Sequence, residues 1–460
     1  MTTKMTPAQA MTASLQALAE NQRPLGGYPQ LLEAAQALTA TSAAQAVTIL
    51  GVLGTSQYAR MPVPPPPGLP PSFPADHLMH LEYSNEWYWV SANLVASDGV
   101  TQIGVLSTIH RSRLFAQDIQ AEAGWSDAES QVVNSETTVA VNDGTRRFLA
   151  RRTGNVKWLI GGDDVVFPTL GAPFALQCGA DSMTSPSDQV LPLRVQARDD
   201  QMAVDITLST DMQNPAWFLQ GINGRTAPPR PGIYYSWPQL SVSGTVEVHG
   251  VTYQVSGTGW IDHQLMMGTP PSPTIQPPPV QPPLTVTHDR TFGSWQWCQF
   301  NFDNGDAYTG VTFQSGPFRA NLISPLGYYV RKVNGAWAAQ LVEAEWRLDG
   351  FIATLFDVIQ PTEWTYRIAG LSTGGGDPIN ATIVATPLVA DGSFVVGNQQ
   401  VCSEVAASVF LSGTLGPAGP LLVGGAGYCE TVGAEINANY SARALAFLAG
   451  SGGSAGSAPR

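Results

Sequence analysis

The chain has 460 residues, 43% of them hydrophobic and only 12% charged, where soluble domains usually carry about 25%. Its 22 basic and 35 acidic side chains leave a formal charge of −13, which opposes nucleic-acid binding by counterion release and adhesion to anionic lipid. The apolar content is enough to build large cores, so general disorder is excluded.

The first 60 residues show helical spacing. Thr6, Pro7 and Gln9 have the layout of a capping box with proline at the first helical position. Met11, Leu15 and Leu18 then share a face, Gly26-Gly27 breaks the pattern, and Leu31, Ala34, Ala35 and Leu38 resume it. The most apolar run, Ala43 to Gly54, is too short to cross a bilayer and contains Gln45 and Thr48. The N-terminus has no signal-peptide pattern. These features predict a short α-helical N-terminal segment on a cytoplasmic protein with no stable membrane insertion.

Two proline tracts, Pro62–Pro74 and Pro270–Pro283, hold 16 of the 36 prolines and favour extended, solvated backbone. They set the expected organisation: helical segment 1–60, linker 61–76, β domain 77–267, loop 268–284, β domain 285–449 and a disordered Gly/Ser-rich tail 450–460. From His77 onward the hydrophobic period is two. Short runs end at Asp98-Gly99, Asp143-Gly144, Asn304-Gly305, Asn334-Gly335 and Asp391-Gly392. That pattern predicts a mainly β protein, with antiparallel barrels or sandwiches.

One segment echoes another. Trp87, Trp89, Ser91 and Asn93 lie on one face of a strand, and Trp295, Trp297, Gln299 and Asn301 repeat that order before a second Gly turn. Either two aromatic strands coincide by chance, or two related β domains each open with a Trp-rich strand.

The polar signals are few. In Gly257-Thr258-Gly259-Trp260-Ile261-Asp262-His263, alternation puts Trp260 and Asp262 on one face and His263 on the other. If the first face is interior, burial raises the Asp262 pKa and keeps the acid protonated near neutral pH, as protonation of an alkene requires. Alternatively, Asp262-His263 ends a strand and satisfies a turn. Tryptophan and tyrosine in bulk suit either a core or a pocket for a flat, unsaturated, apolar ligand. Glu86 can pair with an arginine such as Arg111 or Arg113. Cysteines 178, 298, 402 and 429 form neither a disulfide framework nor a zinc motif, and no Walker loop, Rossmann fingerprint, nucleophile elbow or H-E-x-x-H motif occurs. No metal or cofactor is therefore expected.

Asn85-Glu86-Trp87-Tyr88-Trp89-Val90 with Asn93-Leu94 resembles the opening of the hydroxyneurosporene synthase-like family, which includes carotenoid 1,2-hydratases and AttH-type proteins. Tyr234-Tyr235-Ser236, Gly257 to His263, Trp295-Gln296-Trp297 and Gly427-Tyr428-Cys429-Glu430 resemble its later segments in order. The resemblance runs over roughly residues 77 to 435. It implies two lipocalin-like β domains and a cavity for a hydrophobic small molecule: a polyene, isoprenoid or polyketide. It also implies a hydratase, or a cyclase similar to natural-product Diels-Alderases; a lipid or pigment carrier is the non-catalytic alternative. Carried over residue by residue, it makes Asp262 the proton donor, with Trp260 where the hydratases have Tyr. Tyr235 joins them as a looser catalytic match. Trp87, Trp89, Glu86, Trp237, His263, Trp295 and Trp297 are the expected substrate-binding residues. The helical segment and the long proline loop depart from the family's usual pattern.

Overall fold

A computed structural model describes the chain from residue 71 to 432, except residue 84 and segments 114–125, 127–130, 159–163, 219–231, 267–293, 316–320, 323–325, 354–358, 372–378, 396–400 and 415–419. The helical segment, most of the first proline tract, all of the second and the C-terminal tail lie outside the described residues.

The alternation from His77 onward folds into two antiparallel sheets. In Met202–Ser209 and Leu193–Arg198 every second residue is buried, the pattern of strands with one face on a core. Four of the five Gly turns join hairpins as expected; the strands on either side of Asp391-Gly392 pair instead with Val401–Thr414. After the opening strand, Asn85–Ala96, the Asp98 carboxylate accepts the N–H groups of Val100 and Thr101 at 2.8 Å each, while Gly99 takes φ +72°. At Asn334-Gly335 both residues have positive φ, as a two-residue hairpin turn requires.

The first sheet is an open half-barrel. Its opening strand lies between the second strand, Gln102–Arg113, and the closing strand, Val251–Met266. The closing strand in turn pairs with the penultimate strand, Gly232–Val248. The second sheet closes on itself as an eight-stranded barrel. Its opening strand, Ser294–Phe302, pairs with both its second strand, Ala307–Ser315, and its closing strand, Pro420–Val432. Trp87 and Trp295 therefore stand on equivalent strands, each flanked by the second and last strands of its own sheet.

Each sheet has its own core, and a third apolar cluster joins them. Tyr88, Val90 and Leu94 of the first opening strand face the half-barrel core. Trp89 faces the other way, into a cluster with Trp260, Trp297, Tyr328 and Tyr428. The two echoed faces meet there. The rings of Trp89 and Trp297 contact edge to face at 4.7 Å, and Gln299 Nε2 donates to Ser91 Oγ at 2.7 Å. Asn93 Nδ2 donates to the Gly427 carbonyl of the second closing strand at 3.2 Å. Asn301 Nδ2 donates to the Gly259 carbonyl of the first closing strand at 3.0 Å. These bonds are reciprocal, so the sheets pack about a local twofold relation along the opening strands. A β-bulge between Trp237 and Leu240, where Gln239 has φ +55°, adds to the joint. The Gln239 N–H donates to Asn301 Oδ1 at 2.9 Å and its side-chain amide donates to the Phe302 carbonyl at 2.8 Å.

Asn301 thus satisfies a buried carbonyl and a backbone N–H of the other sheet. Asn301→Ala strands both, and leaving a buried group unpaired costs about 1–3 kcal/mol. Denaturant unfolding is expected to show a loss of at least that size. A loss below ~0.5 kcal/mol, the scale of an ordinary surface change, would contradict the assignment.

Candidate active site

Asp262 sits on the closing strand of the first sheet, directly across from Trp89 on one side and Ser236 on the other. Its side chain is buried between the sheets. Trp260 Nε1 donates to Oδ1 at 2.5 Å, Ser236 Oγ also bonds Oδ1, and Tyr234 Oη lies 3.1 Å from Oδ2. Burial pushes the Asp262 pKa up to about 7, against the opposing hydrogen bonds of Ser236, Trp260 and Tyr234.

The surrounding donors accommodate the neutral acid. Thr309 Oγ1, from the second sheet, gives its proton to the Cys298 carbonyl at 3.1 Å and stands 3.4 Å from Tyr234 Oη. With Asp262 protonated on Oδ2, each hydroxyl donates once: Asp262 to Tyr234, Tyr234 to Thr309 and Thr309 to Cys298 O. In the ionised form Tyr234 turns its proton to the carboxylate and Thr309 loses its donor. Trp260, Trp89 and Trp297 surround this line with indole rings and leave the acid little aqueous contact.

Of the candidates predicted from sequence, the structure brings together Asp262, Trp260, Trp89 and Trp297, with Trp87 half-buried against the cluster edge and 5.8 Å from the His110 ring. Trp295 pairs with Phe313 and Val432; only its backbone position falls within the description. Tyr235, Trp237, His263 and Glu86 do not join Asp262. They lie on the opposite face of the first sheet, toward its own core. Alternation alone places His263 and Glu86 there; for Tyr235 and Trp237 the bulge is the reason. An unbroken hairpin counted from His249-Gly250 would put Trp237 across from Asp262; the extra residue at Pro238-Gln239 shifts the register and puts Ser236 there. Sequence reasoning missed Tyr234, Ser236 and Thr309. Pro238, which cannot donate to a ladder, is the signal that could have revealed the shift.

Tyr235, Trp237, His263 and Glu86 face a second buried network. Glu86 is fully buried; it accepts from His263 Nε2 at 2.8 Å and the His80 N–H at 2.6 Å, with His80 Nδ1 at 3.0 Å and Arg111 Nη2 at 3.3 Å. Burial alone would raise its carboxyl pKa, but the His263 and His80 hydrogen bonds and the Arg111 charge hold it below the usual carboxylate range. Burial lowers the His263 pKa, so this ring is neutral. With Nε2–H on Glu86, its Nδ1 accepts the Tyr235 hydroxyl at 2.7 Å. Tyr235 also meets His77 Nδ1 at 2.7 Å, and Tyr88 stacks on His263 at 4.1 Å. Arg111 Nη1 and Nη2 bond the carbonyls of Tyr83 and His80, at 2.7 and 3.1 Å. The network thereby fastens the segment that leads into the opening strand. Among the described residues no group of three or more His, Cys, Asp or Glu side chains is arranged to hold a metal.

An open half-barrel joined to a closed barrel, with one carboxylic acid buried where they meet, is a two-sheet lipocalin-like architecture. The chain belongs to the AttH-like family, whose model matches residues 64–316, more than half its length. A protein of Nitrosomonas europaea assigned as an AttH is similar in structure, with TM-score 0.56 at 19% identity over 81% of this chain and 99% of that one. Kievitone hydratase of Nectria haematococca is similar at TM-score 0.50 and 14% identity, over 82% of this chain and 96% of that one. At these identities the likeness is one of fold. No curated protein matches the sequence. Among the described residues no helix is long and apolar enough to cross a membrane.

Two measurements test this site. Folded Asp262 keeps its proton up to about pH 7, whereas the unfolded chain releases it near pH ~3.9. The folded state therefore binds the extra proton between those limits, and stability falls as pH rises through them. Asp262→Asn removes that slope. Its unfolding free energy relative to wild type is expected to improve from about pH 4 to about pH 7, by at most ~1.4 kcal/mol per pH unit. A pH-independent difference would contradict the raised pKa. Glu86→Ala leaves Arg111 without its buried carboxylate, and breaking a buried pair this way costs about 3–5 kcal/mol. Unfolding within ~1 kcal/mol of wild type would show that the network bears little weight.

Proposed function

We propose that the protein is an enzyme that adds a proton from Asp262 to an extended apolar alkene, with hydration or cyclisation as the outcome. The observation that supports this reading most is a carboxyl buried among three indoles with its pKa raised to about 7. A general acid works best when its pKa lies near the working pH. Trp260 and Ser236 hold one carboxyl oxygen, so the proton stays on the other, beside Tyr234. The alkene's π electrons take that proton. The cation formed is stabilised over the faces of Trp89, Trp260 and Trp297 and by the carboxylate left behind. Capture by water gives a hydrated product; capture by a second double bond gives a ring. That a hydratase shares the fold agrees with the first outcome. The substrate class best suited to the aromatic surface is an acyclic polyene or isoprenoid, as a small-molecule partner with no cofactor in the proton-transfer step.

The test is turnover of lycopene, squalene and geranylgeraniol by purified wild type and Asp262→Asn. Hydration adds the mass of one water, and cyclisation changes retention at constant mass. The variant is expected to lose about 10²–10⁴-fold in rate while still binding the polyene. Equal rates in both proteins would remove the acid role and leave a cyclase that works by shape. Binding without conversion by either would leave a carrier of lipid or pigment.

A further inference from the structure

The local twofold relation assigns Asp262 a counterpart. Trp89 stands across from Asp262 and Trp297 across from Glu430; Ser91 pairs with Trp260 and Gln299 with Tyr428. The closing strands therefore match as Gly-x-Gly-Trp-x-Asp and Gly-x-Gly-Tyr-x-Glu, residues 257–262 and 425–430. Because Trp89 and Trp297 touch, one level of the joint carries both indoles and the strand positions of both carboxyl residues. Glu430 shares its strand face with Tyr428, which is buried in the joint, and is itself half-buried.

A second observation at this level points to a ligand. Trp89 Nε1, a donor, is buried at this level, and Gln299 Oε1, an acceptor, is buried one pair further along the same face; neither has a hydrogen-bond partner among the described residues. Buried polar atoms of this kind call for a polar partner. The unpaired donor suits the oxygen of a water molecule.

We propose that Glu430 is the general base of the reaction, taking the proton of the water that attacks the cation. The inference rests on Asp262 as acid. The Asp262 O–H bond breaks as a C–H bond forms at one alkene carbon. The water oxygen, held by the Trp89 N–H, forms the C–O bond at the neighbouring carbon, and its proton passes to the Glu430 carboxylate. The net change is addition of one water. Asp262 ends one proton short and Glu430 one proton rich, and exchange with solvent restores both. Among the described residues, the titratable groups on the strand rows of this face include Asp262, Tyr234, Glu136 and His110 from the first sheet and Tyr428 from the second. Glu404 stands across from Glu430 on the adjoining strand.

The experiment compares wild type, Glu430→Gln, Glu430→Ala and Asp262→Asn on whichever of the three polyenes the wild type hydrates. Glu430→Gln is expected to lose about 10²-fold or more in kcat and to lose the acidic limb of the pH–rate profile, where wild type needs an ionised base. Added formate, a small external base, is expected to restore part of the rate to Glu430→Ala and none to Asp262→Asn. A merely structural glutamate gives neither result. Glu430→Gln within about threefold of wild type, with both limbs intact, would overturn the proposal while a slow Asp262→Asn left the acid assignment standing. A normal rate in Asp262→Asn would instead remove the acid, and the role of Glu430 with it.

Discussion

The contact between Trp89 and Trp297 is the interaction on which the rest of the arrangement depends. Each indole projects from the opening strand of its own sheet. That choice of face commits Ser91, Asn93, Gln299 and Asn301 to the same joint. The three amide side chains then satisfy backbone or hydroxyl groups across the joint, so the packing is both apolar and specific in register. The first opening strand is buried along almost its whole length for this reason. One face serves the half-barrel core and the other serves the second barrel. An ordinary outer strand would show solvent on one side.

Placing an acid at such a joint has an electrostatic consequence. The hydrogen-bonding partners of Asp262 are Ser236, Trp260 and Tyr234, all uncharged, so burial dominates and the proton is retained. Glu86, only a few residues away across the same sheet, shows the opposite behaviour. It is equally buried, but His263, His80 and Arg111 surround it and keep it ionised. Two carboxyl groups on opposite faces of one sheet are thus set to opposite charge states by their partners. Such a divergence separates a proton donor from a structural anion. The Glu86 network holds the first sheet and its entering segment, and the proposed proton transfer belongs to the other face.

Much of this was legible in the sequence, and the reasons are local. The period of two, the Asp-Gly and Asn-Gly turns and the paired tryptophan segments follow from strand geometry and turn chemistry, and the structure has hairpins where four of those turns stand. The face of Asp262 was also legible, because Trp260 lies two residues away on the same strand. Its neighbours were not. Cross-strand partners depend on register, and a single bulge at Pro238-Gln239 exchanged Trp237 and Tyr235 for Ser236 and Tyr234. The relation of Asp262 to Glu430 was hidden for a different reason. Trp against Tyr and Asp against Glu weaken the similarity of the two closing strands, and only pairing with the two opening strands aligns them. Thr309 could not be read at all, since it arrives from the other sheet.

The account turns on whether the carboxyl at the joint holds its proton near neutrality. Carbon-13 NMR of the protein labelled at the aspartate carboxyl carbon, titrated beside Asp262→Asn, measures this directly. The prediction is one resonance with a midpoint near pH 7 that is missing from the variant. Complete ionisation of every aspartate by about pH 5, as expected of ordinary carboxyls, would contradict it.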